Sequence, residues 1–371
     1  MRIGLIHTES NNVINGRNVA TSSFEEALIK YHGTHDISII DSRISLKDLT
    51  EELLLRPLDA LHIQEPSVHR VMHFKNINPK PLVVTGITHS LGFPEHVLYQ
   101  PLLEAVVLND FAGHTPHDLM FCTSNEAALA LNKIESHLGV KHMTKALAPL
   151  GIEADDFYKN KKINPINLLY LGRIDNETKC NMDYFLEMLC EARENKDFTL
   201  TIAGASSKNI TCDLDWVTIE CNVTEERKKE LLANADIFLA PSDNVQETFG
   251  ISLLEAMSSG LPIIAYDWSG YRSIIIDELN GHLIKTEMKN GGGFPDRGMF
   301  VEKLRELIDD EEKRISIGNY NEKYVREIFN WEHVIKMFIG LWEKSVRFNK
   351  QNISNLIPCD NSVIFSHYSS K

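Results

Sequence analysis

The pattern of apolar and polar positions in the first part of the chain is one of short apolar runs that alternate with helical periodicity. Ile3–His7, Ala60–Gln64 and Leu82–Thr85 are such runs, and turn-forming or polar residues bound each of them. Thr21–Tyr31 follows the first run and has the periodicity of a helix. Strands that alternate with helices are typical of a parallel sheet with helices on both faces. We therefore predict an α/β fold whose ligands collect beyond the carboxyl ends of the strands.

The length of the chain and one change in composition predict two domains. A chain of 371 residues exceeds what one average hydrophobic core holds. The lysine-rich segment 159–164 has low hydrophobicity and marks a boundary, so we expect domains over residues 1–160 and 161–330. Residues 331–347 have the periodicity of a long amphipathic helix. Residues 348–371 have no clear periodicity, and we expect a C-terminal tail there.

Residues 236–266 are the most informative stretch of the sequence. The apolar run Ile237–Ala240 ends in a cluster of turn-forming residues, which predicts a strand that opens into a loop. From Ile251 onwards apolar residues recur at helical spacing, and Gly260 with Pro262 predicts the end of that helix. The expected order is strand, polar loop, short helix and second strand.

Two carboxylates flank the start of this short helix. Glu247 lies in the loop and Glu255 in the helix, up to about 12 Å apart along the axis at ~1.5 Å per residue. Carboxylates at this separation suit hydroxyl groups at the two ends of one elongated ligand. Between them, the backbone amides near Phe249, Gly250 and Ile251 point out of the helix start, and glycine allows close approach. A diphosphate flanked by two polyols fits this arrangement.

A structural interpretation of both acids is open on spacing alone. Ser252 followed three residues later by Glu255 has the spacing of a capping box, in which the glutamate folds back onto the helix start. Glu247 taken alone is an ordinary solvated loop acid. The functional interpretation therefore depends on the residues around them.

The segment ETFGISLLEAMSSGLPII, residues 247–264, resembles the E-x7-E signature of retaining, nucleotide-sugar-dependent glycosyltransferases of family 4. The resemblance implies the GT-B fold, in which two Rossmann-like doubly wound domains face each other across a cleft. It implies that the last helix, 331–347, returns to the N-terminal domain. It also implies that Glu247 lies at the donor sugar, that Glu255 holds the nucleotide ribose, and that Thr248 belongs to the donor-binding residues.

Two cations are expected in the loop after the first strand of the second domain. Asn167–Leu171 predicts that strand, and Arg173 and Lys179 follow it. The resemblance implies that these residues neutralise the charge on a departing nucleotide diphosphate, arginine bidentately and lysine as a point charge. Such a site needs no metal or other cofactor. We interpret the D-x-D spelling at Asp213 and Asp215 as a solvated turn.

Loops of the first domain contain further candidates. His89 follows the run PLVVTGIT and resembles the strand-end histidine of the family, which implies donation to a sugar hydroxyl and to the charge of the transition state. Gly16 is matched to a glycine-rich loop that meets the donor's distal phosphate, and a plain turn is the alternative. Ser124 resembles the family's strand-end serine and is interpreted first as a helix N-cap.

Composition excludes several classes of partner. The formal net charge of -14 disfavours nucleic acid and leaves at most peripheral contact with a membrane. The basic run Arg227–Lys229 is interpreted as solvated helix surface. The 6 cysteines have neither a CxxC pair nor metal-ligand spacing, which favours free thiols in a reducing compartment. No apolar run approaches the ~18 residues of a spanning helix, so we expect a cytoplasmic protein.

These observations predict a retaining, metal-independent glycosyltransferase. It would move a sugar from a UDP- or GDP-linked donor to a hydroxyl acceptor in glycan or glycoconjugate biosynthesis. Two alternatives are open. One is a GT-B enzyme that hydrolyses or epimerises nucleotide sugars, and the other is a non-catalytic homologue that binds a nucleotide or a partner protein.

Overall fold

The protein folds into two parallel sheets of six strands each. This architecture, seen in a computed structural model of the protein, confirms the predicted α/β class. The change from one sheet to the other falls between residues 147 and 166, a range that contains the predicted domain boundary. The structure describes residues 1–7, 16–89, 91, 99–159, 165–174, 180–208, 210–244, 246–289 and 292–354.

The first sheet is built from the N-terminal part of the chain. Its strands are β1 (Arg2–His7), β2 (Asp36–Asp41), β3 (Ala60–Ile63), β4 (Val83–Thr88), β5 (Leu119–Cys122) and β6 (Thr144–Leu147). Their order is β2-β1-β3-β4-β5-β6, and all neighbours are parallel. The direction of the strand order therefore reverses between β1 and β3, and a crevice forms outside the carboxyl ends of strands at such a reversal.

The second sheet has the doubly wound order of a Rossmann fold. Its strands are β7 (Ile166–Leu171), β8 (Phe198–Gly204), β9 (Val217–Cys221), β10 (Ile237–Ala240), β11 (Ile263–Tyr266) and β12 (Gly281–Ile284). They lie in the order β12-β11-β10-β7-β8-β9. The reversal falls between β7 and β10, which are parallel neighbours with Ile237 opposite Leu168. The loops after these two strands therefore meet at one crevice.

Helices follow the strands as the periodicity predicts. They are α1 (Gly16–Tyr31), α2 (Leu46–Leu55), α3 (Phe74–Ile77), α4 (Tyr99–Phe111), α5 (Asn125–Leu138), α6 (Met182–Arg193), α7 (Glu225–Asn234), α8 (Ile251–Ser258), α9 (Arg297–Asp309), α10 (Glu311–Ile328) and α11 (Trp331–Ser354). Three short 3-10 helices and an antiparallel hairpin, β13 (Thr286–Lys289) with β14 (Gly292–Pro295), complete the described elements. Among the described helices, none is both long enough and apolar enough to cross a membrane.

Each sheet buries both of its faces. Along β10, Phe238 belongs to one hydrophobic cluster, whereas its neighbours Ile237 and Leu239 belong to another. Successive side chains of a strand point to opposite faces, so both faces of this strand are covered. The strand therefore reads as one uninterrupted apolar run, as strands of parallel sheets do.

The last helix, α11, packs on the first sheet. The indole Nε1 of Trp342 donates to Thr85 Oγ1 of β4 at 3.0 Å, and Thr85 also contacts His62 Nδ1 at 2.9 Å. Trp342 and His62 are fully buried, and burial lowers the pKa of His62 to about 3. The helix therefore adds an aromatic layer around a neutral histidine to the core of the first half.

The structure extends two of the predicted elements. Helix α1 begins at Gly16 rather than at Thr21. Helix α11 continues to Ser354, so the predicted tail of 348–371 is wrong for its first seven residues. Buried positions end at Val346, but no glycine or proline follows before Pro358, so nothing in the sequence stops the helix where its packed face ends. The rest of the tail lies outside the described residues.

Candidate functional site

The candidate site lies where β7 and β10 end. Gly172 and Arg173 follow β7, and the loop after β10 leads into α8. The last part of this loop, residues 246–250, is called the 246–250 segment below. It contains the first of the two predicted carboxylates and ends at the start of the helix that contains the second. The expected order of strand, polar loop, short helix and second strand is confirmed over 237–266.

Gly250 is the N-cap of α8 and has a left-handed backbone with φ 118°. A Cβ at this position would lie 2.8 Å from Cε1 of Tyr271, so the residue is constrained to be glycine. Because the cap has no side chain, it cannot satisfy the first backbone amides of the helix, which begin at Ile251. The helix start therefore has amides available to an anionic ligand.

Glu255 forms an ion pair with Lys228 of α7. The Lys228 Nζ lies 2.6 Å from Glu255 Oε1, and the two side chains are 17% and 10% exposed. Burial raises the pKa of Glu255, and Lys228 opposes that rise. Burial alone would lower the pKa of Lys228, but Glu255 and Glu225 raise it above its ordinary value. Lys228 therefore stays protonated and favours the ionised form of Glu255, which accepts hydrogen bonds from hydroxyl groups.

The capping-box interpretation of Glu255 is wrong. A capping box requires the serine at the N-cap, but the N-cap is Gly250, so Ser252 is already a helical residue. The carboxylate of Glu255 pairs with Lys228 instead of folding back onto the helix start. The interpretation of Lys228 as solvated helix surface is wrong for the same reason, since its ammonium group faces this carboxylate.

Backbone hydrogen bonds hold Glu247, the second residue of the 246–250 segment. Its amide donates to the Asn244 carbonyl at 3.1 Å, and its carbonyl accepts from the amide of Gly270 at 3.2 Å. A Cβ on Gly270 would lie 2.2 Å from the carbonyl carbon of Thr248, so only glycine permits this close approach. The Glu247 side chain is half-buried, and its charge adds to burial in raising the pKa of Tyr271.

Arg173 and Gln246 bring the two loops of this crevice together. The Arg173 Nη2 donates to Gln246 Oε1 at 3.3 Å. The Gln246 side chain is buried, and within the described part of the chain its Nε2 has no hydrogen-bond partner. A buried amide without a partner is costly, and this one belongs to the side chain that accepts from Arg173. Lys179, the other predicted cation, lies outside the described residues.

The 246–250 segment also contacts the first sheet. The Thr248 hydroxyl donates to the backbone carbonyl of His89 at 2.8 Å, and Thr123 Oγ1 donates to the Thr248 carbonyl at 3.2 Å. His89 follows β4, and its Nε2 lies 3.0 Å from Gln64 Oε1. The structure therefore brings His89 next to the segment that contains Glu247.

The other predicted residues have simpler positions. Phe249 is buried, with its ring centroid 5.9 Å from that of Phe329, so it contributes its backbone rather than its side chain. Ser124 is the N-cap of α5 and accepts from the amide of Ala127, as the first interpretation predicted. Gly16 is the first residue of α1, which does not support the plain turn. Its predicted role at the donor phosphate stays a prediction.

Two acidic groups bear on metal binding. Asp213 and Asp215 are exposed and belong to no cluster of metal-ligating atoms among the described residues. Asp277, Glu278 and His282 do have ligand atoms within 4.8 Å of one another. However, Lys303 Nζ already lies 2.6 Å from Glu278. Asp277 and Glu278 precede β12 and His282 is its second residue, so this cluster lies at the amino ends of the strands, opposite the candidate site.

Three further residues of the candidate site were not predicted from the sequence. Lys228, Gln246 and Asp243 are polar residues that packing brings to it. Burial raises the pKa of Asp243 to about 6, and the amide of Asn181 donates to its Oδ2 at 3.3 Å. The only available signal was position: Asp243 and Gln246 lie in the loop already singled out, and Lys228 lies on the preceding helix.

The chain matches known proteins most clearly over its second half. Residues 152–324 match glycosyl transferases group 1, which confirms the predicted resemblance over that part of the chain. Spore coat protein SA of Bacillus subtilis is 28% identical over 131 residues, 35% of this chain and 33% of that protein. Phosphatidyl-myo-inositol mannosyltransferase of Mycobacterium tuberculosis is 25% identical over 244 residues, 62% of this chain and 60% of that protein. The matches therefore span less than two thirds of these relatives.

Solved structures resemble most of the chain. Sucrose-phosphate synthase of Thermosynechococcus elongatus has a TM-score of 0.68 at 16% identity, over 92% of this chain and 98% of that one. HepE of Anabaena, solved with UDP and glucose, has a TM-score of 0.64 at 14% identity, over 93% of this chain and 100% of that one. These similarities confirm the predicted GT-B fold.

Proposed function

We propose that the protein is a retaining, metal-independent glycosyltransferase that moves a sugar from a nucleotide diphosphate sugar to a hydroxyl acceptor. One observation carries the proposal. The 246–250 segment contacts Arg173 through Gln246 on one side and the His89 carbonyl through Thr248 on the other. A cation for a leaving diphosphate and a histidine from the opposite sheet therefore adjoin one loop.

The residues suggest how the donor would be held. The diphosphate would accept hydrogen bonds from Arg173, from Gln246 Nε2 and from the amides at the start of α8. Glu255 would bind the ribose hydroxyls, and Glu247 and His89 would bind the sugar. With a cation and oriented amides at the diphosphate, charge stabilisation there requires no metal.

The transfer breaks one bond and forms another at the anomeric carbon. The bond from this carbon to the diphosphate oxygen breaks, and the bond to the acceptor oxygen forms. The hydroxyl proton of the acceptor passes to the departing phosphate oxygen. Attack on the face that the diphosphate leaves retains the anomeric configuration, and this route assigns no covalent intermediate to the protein.

Two solved relatives favour a uridine donor. HepE of Anabaena was also solved with UDP-glucose, and the pneumococcal O-GlcNAc transferase GtfA was solved with UDP and GlcNAc. We therefore propose a UDP-linked donor first and a GDP-linked donor second. The described cysteines are all free, and we propose a cytoplasmic location because free thiols are typical of reducing compartments.

A donor panel and one variant test the proposal. UDP- and GDP-sugars are screened by thermal shift, where a ligand at ~100 times its Kd adds roughly 2.7 kcal/mol to stability. We expect Glu247→Gln to lower the rate of transfer at saturating donor about 100-fold, because an ionised acceptor for sugar hydroxyls is lost. Glu230→Gln, an exposed glutamate of α7, is the control.

Three outcomes would contradict parts of this proposal. Full transfer activity in Glu247→Gln would remove that residue from the site. No response to any nucleotide sugar would favour the non-catalytic homologue. The same product with and without acceptor would favour a hydrolase or epimerase, because neither enzyme needs the acceptor.

A further inference from the structure

Strand β2 is an edge strand of the first sheet. Among the described strands it pairs only with β1, and the register of the two strands is unbroken from Asp36 to Asp41. Its sequence, DISIID, contains neither lysine nor proline. Natural proteins usually protect an edge with lysine, proline, a β-bulge or a very short strand. Because β2 has none of these protections, its free side can accept a further strand.

The backbone groups on the free side of β2 belong to two isoleucines. The amide of Asp36 donates to the Met1 carbonyl at 3.0 Å, so the backbone groups of Asp36 point towards β1. Successive residues of a strand direct their backbone groups to opposite sides. The amides and carbonyls of Ile37 and Ile39 therefore point away from β1. A strand that joins this edge must form its hydrogen bonds with these two residues.

Apolar side chains surround this edge. Ile39 is 45% exposed on the strand itself. Helix α2 ends beside the strand, because its C-cap residue Arg56 donates to Asp36 Oδ2 at 2.6 Å. Leu54 and Leu55 directly precede that C-cap and are 61% and 83% exposed. Clustered apolar side chains at a surface indicate a site of protein interaction.

The charges at the two ends of β2 favour a second copy of the same strand. Asp36 at one end pairs with Arg56 at 2.6 Å, and Asp41 at the other end pairs with Arg43 at 2.9 Å. When two copies lie antiparallel, the Asp36 end of each copy meets the Asp41 end of the other. Each carboxylate brings its own guanidinium group, so the junction has no unbalanced charge. A strongly basic or acidic partner strand would gain nothing at these ends.

Two-fold symmetry restricts the register of such a pair. The axis that relates two antiparallel edge strands is perpendicular to the sheet, so facing residues must point to the same side of the sheet. A register centred on Ser38 meets this condition and places Ile37 of each copy opposite Ile39 of the other. A register centred on Ile39 would place Ile37 opposite the carboxylate of Asp41. The first register is favoured, because facing β-branched side chains stabilise a sheet.

We infer that the protein is a homodimer in which β2 of one copy pairs antiparallel with β2 of a second copy, so that the first sheet continues through both. This inference does not depend on the proposed function. The strands of the two copies run in opposite directions, so the carboxyl ends of the two sheets point to opposite sides. We therefore expect each copy to act independently, with the same activity per chain in the dimer and in the monomer.

Sedimentation velocity tests the interface. The chain has a mass of 42.2 kDa, and we expect a particle of about twice that mass with a dimer Kd below about 10 μM. Ile39→Lys adds the charge that protects natural edges and should raise the dimer Kd at least 100-fold. Leu129→Lys is the matched control, because Leu129 is 59% exposed on α5, and its dimer Kd should stay within twofold of the wild-type value.

A second variant of the same residue separates the interface from the folding of the strand. Ile39→Pro removes an amide that points away from β1, so it spares the hydrogen bonds between β1 and β2. We expect this variant to be a monomer that keeps the far-ultraviolet circular dichroism spectrum of the wild type. If Ile39→Lys and Ile39→Pro are both folded and form dimers as the wild type does, the interface lies elsewhere and the inference is wrong.

Cysteine crosslinking tests the register. Facing residues that are not hydrogen-bonded have Cα atoms about 4.5 Å apart, which a disulfide spans. We expect Ser38→Cys to form a covalent dimer on oxidation. Ser42→Cys, at an exposed position beyond the end of β2, should form no more covalent dimer than the wild type under the same conditions.

Three outcomes would overturn the inference. The first is a wild-type protein that stays monomeric at about 100 μM, well above the expected Kd. The second is an equal dimer Kd for Ile39→Lys and Leu129→Lys. The third is a dimer in which Ser38→Cys crosslinks no better than Ser42→Cys, because the two strands would then not be paired about Ser38.

Discussion

The two sheets build their parts of the site in different ways. In the second sheet, one continuous stretch supplies Glu247, the amides at the start of α8, and Glu255. In the first sheet, Gln64 and His89 come from separate strand ends and meet only because β3 and β4 are neighbours. A continuous stretch fixes the spacing of its residues through one helix, whereas a dispersed site depends on the order of the strands.

The largest effect is expected at the cation of the second sheet. Arg173→Met removes the charge that would stabilise the departing diphosphate, and we expect kcat/KM to fall about 1,000-fold, or ~4 kcal/mol. Steady-state kinetics with the donor identified by thermal shift measures this fall in kcat/KM. Arg272→Met is the control, because Arg272 is half-exposed and pairs with Asp267. Equal losses in the two variants would show that Arg173 acts only through general charge.

A smaller effect is expected from Lys228→Met. Glu255 would be left in its buried position without its cation, so its pKa would rise further above the ordinary value. A raised pKa restricts the ionised form to higher pH, so the loss of UDP affinity should be about tenfold to 100-fold near pH 6 and should shrink as the pH rises. Calorimetric titration with UDP between pH 5.5 and 8.5 measures this.

Lys229→Met is the matched control for that prediction. Lys229 follows Lys228 on the same helix, but it pairs with Asp156 in a more exposed position. We expect the Kd of the Lys229→Met variant for UDP to stay within twofold of the wild-type value at every pH. If the loss of UDP affinity in Lys228→Met is the same at every pH, the role assigned to the ion pair is wrong.

Asp243 gives a prediction about stability. Burial raises its pKa from 3.8 to about 6, so its contribution to stability is complete below pH 3.8 and is lost as the pH rises through about 6. Asp243→Asn should therefore be more stable than the wild type at pH 8 by about 1–2 kcal/mol, a value discounted for partial exposure. The gain should vanish near pH 4.

Denaturant unfolding at pH 4 and pH 8 measures this difference in the free energy of unfolding. Asp213→Asn, in an exposed turn, should be neutral at both values. If Asp243→Asn gives the same gain at both pH values, the gain does not come from ionisation.

The smallest effect is expected where the two sheets meet. Thr248→Val removes the hydrogen bond to the His89 carbonyl, which is worth about 1 kcal/mol. We expect kcat to fall about fivefold with the Kd for UDP unchanged, because the contact positions His89 rather than the nucleotide. Thr218→Val, at an exposed position on β9, should change neither kcat nor the Kd for UDP. A change in Kd alone would indicate that the contact only supports the donor loop.

The part of the candidate site on the second sheet was easier to predict from the sequence than the part on the first sheet, and the reason is physical. Turn-forming residues, helical spacing and glycine act locally, so the strand, loop and helix around Gly250 could be read directly. The pairing of Lys228 with Glu255 spans 27 residues and requires α7 to pack beside α8, which no local pattern encodes. The contact between Gln64 and His89 likewise required knowledge of which strands are neighbours.

Spacing alone also produced one misinterpretation. Ser252 and Glu255 have capping-box spacing, but the left-handed Gly250 starts the helix two residues earlier than that box would require. The conformation of a single residue therefore decides whether Glu255 can act as a structural cap. Such a conformation depends on neighbours such as Tyr271, which comes from a later loop.

The position of α11 has a consequence for biosynthesis. Trp342 is separated by 257 residues from Thr85, the residue to which it donates. The ribosome therefore adds 257 residues after Thr85 before the first sheet receives this aromatic layer. Until then the apolar surface that α11 covers is open to water, and exposed surface of this kind favours aggregation of an incomplete chain.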